Sequence, residues 1–102
     1  LDVTPLDANH CPGSAMFLLR GEFGCILHTG DFRFGSDDML EGIGDKRIDL
    51  LVMDNTYCNP DYDFPPREQA ADEVLRIVQE HAANFRVLIG VDTLGKEELL
   101  VQ

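Results

Sequence analysis

Cysteine, proline and long apolar runs are all scarce in this sequence. Its 102 residues include three cysteines and five prolines. Cys11, Cys25 and Cys58 are odd in number and contain no C-x-x-C pair, which argues against a disulfide framework and against a thiolate zinc site. Unpaired cysteines favour a reducing compartment, the cytosol or the nucleus. No run approaches the roughly 18 apolar residues of a membrane helix, so we expect no membrane association.

Basic residues are also few. Lysine and arginine together number 8 against 19 acidic residues, which gives a net charge of −11. Because Lys and Arg make most phosphate contacts, this charge argues against nucleic acid held on a basic face of this segment. A bound cation, or a basic surface elsewhere in a longer protein, would reconcile the charge with a phosphate-bearing substrate. An ordinary solvated acidic surface is the simpler explanation.

The residues that are present are those of a globular domain, since 44% are hydrophobic and 26% are charged. The sequence starts inside a strand-like run and stops inside a helical pattern, which predicts an excerpt of a longer protein. Five short apolar runs predict β-strands. These runs are residues 3–8, 14–20, 25–29, 48–54 and 87–91.

The second and third runs predict an antiparallel hairpin with a four-residue loop at 21–24. A helical pattern between the last two runs starts at Pro66, a residue suited to the first position of a helix. The expected fold class is therefore α/β, an antiparallel hairpin followed by a β-α-β unit, with a second helix after Gly95. The apolar face of the long helix is predicted at Ala71, Val74, Leu75, Val78, Ala82 and Phe85.

Three of these runs lead into a polar residue, namely His10, Asp31 and Asp54. Because strand ends border the open crevices of a sheet, we hypothesise that the three side chains converge on one point. An imidazole beside a tight Pro-Gly turn suits a metal ligand or a general base, and Asp7 would orient its ring. A histidine hydrogen-bonded within its own turn is the simpler alternative.

The other candidates also have simpler explanations. Asp31, between a glycine and a phenylalanine, would bind a divalent cation or pair with Arg33. Asp54 would face the same crevice or cap its own turn. Lys96, near the start of the second predicted helix, would meet an anion or lie in solvent. The sequence has no nucleotide-binding glycine loop and no G-x-S-x-G motif, so nucleotide cradles and serine hydrolases are unsupported.

Three motifs together resemble a known family. They are A-N-H-C-P-G at 8–13, T-G-D-F-R at 29–33 and D-N-T-Y-C at 54–58. With a hairpin between the first two, they resemble the metallo-β-lactamase-fold nucleases of the β-CASP group, in particular the DNA cross-link repair branch. The resemblance implies an αββα fold, with approximately 1–47 in the second half of the metallo-β-lactamase core and approximately 48–102 at the start of the β-CASP region.

The resemblance also implies a chemistry. It implies that His10 binds zinc, that Asp31 can bridge two metal ions and that Asp54 belongs to the active site. A complete enzyme of this kind hydrolyses DNA phosphodiester bonds, as a 5′ to 3′ exonuclease or a structure-selective endonuclease, in cross-link repair or at chromosome ends. The expected location is the nucleus, and the expected partners are DNA and repair or telomere proteins.

One family signature is missing from the sequence. The H-x-H-x-D-H motif, which carries most of the metal ligands, is absent. His10 and Asp31 fall short of the three or four protein ligands of a zinc site, so the excerpt alone is predicted to be inactive and to bind zinc weakly. Two alternatives stay open, a degenerate scaffold that keeps the fold to bind protein partners and an RNA-processing β-CASP hydrolase.

Overall fold

A computed structural model describes residues 1–35, 37–91 and 95–101. The chain divides into two compact units, residues 1–56 and residues 57–102. The predicted α/β class is confirmed, because the described part contains both a sheet and a helix of four turns. Its elements are β1 (Asp2–Asp7), β2 (Ala15–Gly21), β3 (Gly24–His28), a 3₁₀ turn (Asp37–Leu40), β4 (Leu50–Val52), α1 (Arg67–His81) and α2 (Glu97–Leu100).

The four strands form one mixed sheet in the order β1-β2-β3-β4. β2 is antiparallel to both β1 and β3, and β4 is parallel to β3. β1, β3 and β4 therefore run in the same direction. Their carboxyl ends lie at one edge of the sheet, and the turns that follow them carry His10, Asp31 and Asp54.

The predicted hairpin is confirmed as β2 and β3, but its loop is shorter than expected. Gly21 pairs with Gly24, which leaves two loop residues instead of four. Gly24, the first residue after this loop, has a φ of +100°, a conformation that glycine adopts without steric cost. Asp49 supports the start of β3, because its Oδ2 accepts the N–H of Cys25 at 2.9 Å.

The core lies on one face of the sheet. Met16 and Leu18 of β2 are buried, whereas Phe17 between them is exposed, as the alternation of side chains along a strand requires. Cys25 and Leu27 continue the buried face on β3. Full burial of a side chain such as Leu18 stabilises the fold by about 1.5–3 kcal/mol. The buried apolar residues are Ala8, Met16, Leu18, Cys25, Leu27 and Ile43.

The last strand of the predicted β-α-β unit is not formed. Residues 87–91 are described without regular secondary structure, and Leu88 among them is 80% exposed. The prediction of a strand there is therefore wrong. β-propensity measures how well a side chain packs on a sheet, so an exposed β-branched run has little reason to form a strand by itself.

α1 begins one residue later than predicted, because Pro66 is its N-cap and Arg67 is its first residue. It ends at His81, so Ala82 and Phe85 do not extend its apolar face, and both are exposed. No residue of α1 is buried, and neither described α-helix is long and apolar enough to cross a membrane. The half-buried residues of the predicted face are Ala71, Val74, Leu75 and Val78.

Candidate functional site

The turn after β1 is closed by the Ser14 hydroxyl. Its Oγ accepts the N–H of His10 at 3.2 Å and the N–H of Cys11 at 3.1 Å. Asn9 adopts a φ of +52°, and its N–H donates to Asp7 Oδ1 at 2.7 Å. The backbone that carries the exposed His10 is therefore fixed from both sides. Asp7 bonds to this backbone, and its role in orienting the His10 ring stays a prediction.

The turn after β3 holds Asp31 next to a glycine in the left-handed region. Gly30 has a φ of +54°, its N–H donates to His28 Nδ1 at 3.1 Å, and its carbonyl accepts the Thr29 hydroxyl at 2.8 Å. Asp31 itself is exposed. Among the described residues, the ion pairs do not include one between Asp31 and Arg33, so the simpler explanation for this carboxylate is not observed.

Hydrogen bonds join these two turns across the sheet. β2 lies between β1 and β3, which separates them by about 10 Å at the usual strand spacing. The N–H of Arg33 nevertheless donates to the carbonyl of Ala8 at 2.9 Å, and Asn9 Nδ2 donates to the carbonyl of Arg33 at 3.4 Å. The chain just before His10 is thus in contact with the chain just after Asp31 at the shared edge.

The turn after β4 is built around the Asp54 carboxylate. Asp54 Oδ1 accepts both the hydroxyl of Thr56 at 2.5 Å and the N–H of Thr56 at 2.9 Å. The predicted cap on its own turn is therefore present. The hydroxyl and then the N–H of Thr56 lower the pKa of Asp54, desolvation opposes them, and the nearby charge of His10 adds to the lowering.

The donor atoms at this edge suit zinc in kind but not in number. Imidazole nitrogen and carboxylate oxygen are both ordinary zinc ligands. However, the described residues contain no group of three or more His, Cys, Asp or Glu side chains that could hold a metal ion. His10, Asp31 and Asp54 therefore do not form a complete metal site by themselves, and any zinc bound here needs further ligands.

Lys96 lies in the other unit, at a cavity of about 260 Å³. The cavity is lined by parts of α1 and by the segment that leads into α2. The N–H of Gly95 donates to Glu97 Oε2 at 2.8 Å. Glu97's own N–H and that of Gly95 lower the pKa of its carboxyl group. An anion at Lys96 stays a prediction. The lining residues are Arg67, Glu68, Ala70, Ala71, Val74, Gly95, Lys96 and Leu99.

Sequence inspection missed the hydroxyl residues that hold these turns. Ser14, Thr29 and Thr56 each bond to the backbone or carboxylate of a candidate residue. The signal that would have found them is position, because a Ser or Thr beside a strand end can replace a missing ladder hydrogen bond. The three are therefore part of the candidate site through the hydrogen bonds that hold its turns.

Comparison with known proteins identifies relatives of the whole segment, although no protein-family model matches it. The 5′ exonuclease Apollo of Gallus gallus is 52% identical over 100 residues, which is 97% of this chain and 22% of Apollo. The DNA cross-link repair protein pso2/snm1 of Schizosaccharomyces pombe is 36% identical over 110 residues, 99% of this chain and 20% of that protein. Protein artemis of Gallus gallus is 40% identical over 86 residues, 78% of this chain and 12% of artemis.

The chain is homologous to 5′ exonuclease Apollo, to Protein artemis and to the SNM1-type DNA cross-link repair proteins. The resemblance of the three motifs to the branch that contains these proteins is thereby confirmed. The chain spans about a fifth of the length of the Apollo and SNM1 relatives that it matches. Its similarity to these relatives therefore concerns one segment of them, and that segment includes the sheet edge described above.

Proposed function

We propose that this chain is a segment of a metal-dependent DNA nuclease that hydrolyses phosphodiester bonds as a 5′ exonuclease. The observation that carries the proposal is the common edge of three parallel strands, where His10, Asp31 and Asp54 follow the strand ends. The 52% identity to a relative named as a 5′ exonuclease favours that activity over a structure-selective endonuclease. Cross-link repair or the processing of chromosome ends is the corresponding cellular role.

The proposed roles follow from the donor atoms. His10 and Asp31 would contribute to a zinc site completed by ligands outside this chain, with Asp7 orienting His10. A zinc ion there would supply the positive charge that this acidic segment lacks and would lower the pKa of a bound water. Asp54 has a lowered pKa and is ionised at neutral pH, so it would accept hydrogen bonds rather than donate a proton. Lys96 is the proposed phosphate contact.

The surroundings of the segment are proposed on the same basis. The sheet would belong to a metallo-β-lactamase αββα fold, with approximately 1–47 in its core and approximately 48–102 in the β-CASP region. The nuclease would act in the nucleus on DNA, alongside repair or telomere proteins. The names of the relatives support DNA as the substrate, since they describe an exonuclease and a DNA cross-link repair protein.

The test uses a longer protein in which this chain lies within a complete catalytic domain. His10→Ala and Asp31→Asn should each reduce cleavage of 5′-labelled single-stranded DNA to background, because each removes one proposed zinc ligand. His81→Ala and Asp45→Asn are matched controls on exposed residues and should keep wild-type activity. Circular dichroism and thermal melting verify that the variants fold, and the isolated 102-residue chain should show no cleavage with added zinc.

Wild-type turnover in a folded His10→Ala or Asp31→Asn variant would remove that residue from the mechanism. Cleavage by the isolated chain would show that the count of required ligands is wrong. Equal or faster cleavage of RNA of the same sequence would favour the RNA-processing alternative. One of the relatives reported above is named a DNA cross-link repair protein, so we expect DNA to be the better substrate.

A protein-binding scaffold is the second candidate, and the incomplete donor set among the described residues favours it. The two candidates differ in the longer protein. A nuclease requires an H-x-H-x-D-H motif that supplies the remaining ligands, whereas a scaffold does not. Zinc content close to zero in the purified longer protein, together with no cleavage of any DNA, would support the scaffold and contradict the nuclease.

A further inference from the structure

Thr29 lies immediately after β3, between the core and the candidate site. Among the residues that the structure describes, it is the only polar one that is buried, with 2% of its surface exposed. Its neighbours Gly30 and Asp31 lie at or near the surface. A buried hydroxyl without hydrogen bonds destabilises a fold by about 1–3 kcal/mol, so the partners of this group are of interest.

The Thr29 hydroxyl connects two of the three turns. It donates its proton to the carbonyl of Gly30 at 2.8 Å and accepts the N–H of Asp54 at 3.1 Å. The N–H of Thr29 also donates to the carbonyl of Val52 at 2.9 Å, which extends the β3–β4 ladder by one bond. A hydroxyl has one proton to donate and lone pairs to accept with, so Thr29 uses both functions at once.

The two hydrogen bonds of the Thr29 hydroxyl hold the residue before Asp31 and the backbone of Asp54 itself. Gly30 is the residue before Asp31, and its N–H is held by His28 at 3.1 Å. β4 ends at Val52, and Asp54 lies two residues further along the chain. Thr29 therefore fixes where both turns leave the sheet. The threonine methyl restricts its side-chain rotamer, which keeps the hydroxyl between these two partners.

We propose that Thr29 is a positioning residue, which sets the separation of Asp31 and Asp54 through its buried hydroxyl. The inference rests on the proposed nuclease function and deepens it. Groups that orient the residues of a metal site typically contribute 10–100-fold to activity or metal affinity. Thr29 touches neither substrate nor metal in this account, and its effect passes through the backbone of the two turns.

Three substitutions in the complete catalytic domain test this role. Thr29→Val keeps the branched shape but removes the hydroxyl, and it should lower kcat about 10–100-fold while KM changes little. Thr29→Ser keeps the hydroxyl and should restore kcat close to wild type. Thr4→Val is the matched control, a half-buried threonine of β1 away from the strand ends, and it should leave kcat unchanged.

Amide hydrogen exchange distinguishes a positioning role of Thr29 from a general effect of the substitution on the stability of the fold. The Asp54 N–H should exchange faster in Thr29→Val than in wild type, whereas the core amides of Leu18 and Leu27 should not. Thr29→Ser should keep the slow exchange of Asp54. If Thr29→Val does not fold, Thr29→Cys replaces it, because a thiol is of similar size and forms only weak hydrogen bonds. A lowered kcat in that variant supports the proposal.

Wild-type kcat in a folded Thr29→Val or Thr29→Cys variant would overturn the proposal. So would equal loss of kcat in Thr29→Ser and Thr29→Val, since the hydroxyl would then be irrelevant. Asp31→Asn, assayed in parallel, distinguishes a failure of the Thr29 proposal from a failure of the proposed nuclease function. An inactive Asp31→Asn with a fully active Thr29→Val contradicts only the role of Thr29, whereas an active Asp31→Asn contradicts the proposed function as well.

Discussion

The two compact units of the chain use their apolar residues differently. Residues 1–56 bury Met16, Leu18 and Leu27 beneath a four-stranded sheet, and the candidate residues His10, Asp31 and Asp54 follow strands of that sheet. Within the described part of 57–102, no residue is buried, although α1 carries a regular apolar stripe. A regular pattern of apolar residues therefore coincides with a helix or strand in both units. Among the described residues, it coincides with a buried core only in the first unit.

The buried core of the first unit explains why the candidate site has a defined geometry. Each strand-end turn starts from a backbone that the core holds in place, and a hydroxyl or main-chain bond then fixes the turn. Ser14 and Thr29 do this for the first two turns, and Thr56 does it for the third. Sites on rigid elements hold their side chains more exactly than sites on loops. The first unit is consequently the one in which point substitutions should have specific effects.

The largest expected effect contrasts a core residue with a residue of the helical stripe. Leu18→Ala should lower the free energy of unfolding of the first unit by about 2–5 kcal/mol, because Leu18 is fully buried. Val78→Ala, in the half-buried stripe of α1, should cost about 1 kcal/mol or less. Urea unfolding followed by circular dichroism measures both. Equal costs would show that the contrast between the two units is wrong.

A smaller effect on stability is expected when two glycines, one in each unit, are replaced by alanine. Gly30→Ala should cost about 1–2 kcal/mol, because Gly30 has a φ of +54°, which alanine and most other residues disfavour. The nearest atom to an added Cβ is the Ala15 carbonyl oxygen at 4.0 Å, so the cost would come from the backbone and not from a clash. Gly90→Ala in the second unit, with no atom within 4 Å, should change stability little. Thermal melting of both variants tests the pair, and an unchanged melting temperature for Gly30→Ala would contradict the fixed turn.

The smallest effect concerns the ionisation of Asp54. Its pKa lies below the ordinary value of 3.8, so its contribution to stability is present above that pH and is lost as the pH falls through the lowered pKa. Thr56→Val removes the hydroxyl that lowers the pKa most and should move it towards 3.8, whereas Thr56→Ser should keep it low. An NMR titration of the Asp54 carboxyl carbon measures the shift. A pKa that Thr56→Val does not raise would contradict this account of the turn.

Much of the first unit could be predicted from the sequence, and less of the second. The hairpin and the strand before it follow from alternating apolar residues, and the polar residues after the strands indicated the shared edge. The loop length and the strand at 87–91 were predicted wrongly, because cross-strand pairing decides both and one strand's sequence does not show it. The bond between Thr29 and the turn after β4 could not be predicted either, since it joins residues 25 positions apart.

The most direct test of the shared edge is a crystal structure of the complete catalytic domain with zinc, phased at the zinc absorption edge. The account predicts an anomalous peak with a His10 ring nitrogen and an Asp31 carboxylate oxygen each within about 2.0–2.2 Å of it. The Asp54 carboxylate should lie at the same edge. A zinc peak elsewhere, with His10 and Asp31 pointing to different sides of the sheet, would contradict the claim that the three strand ends form one site.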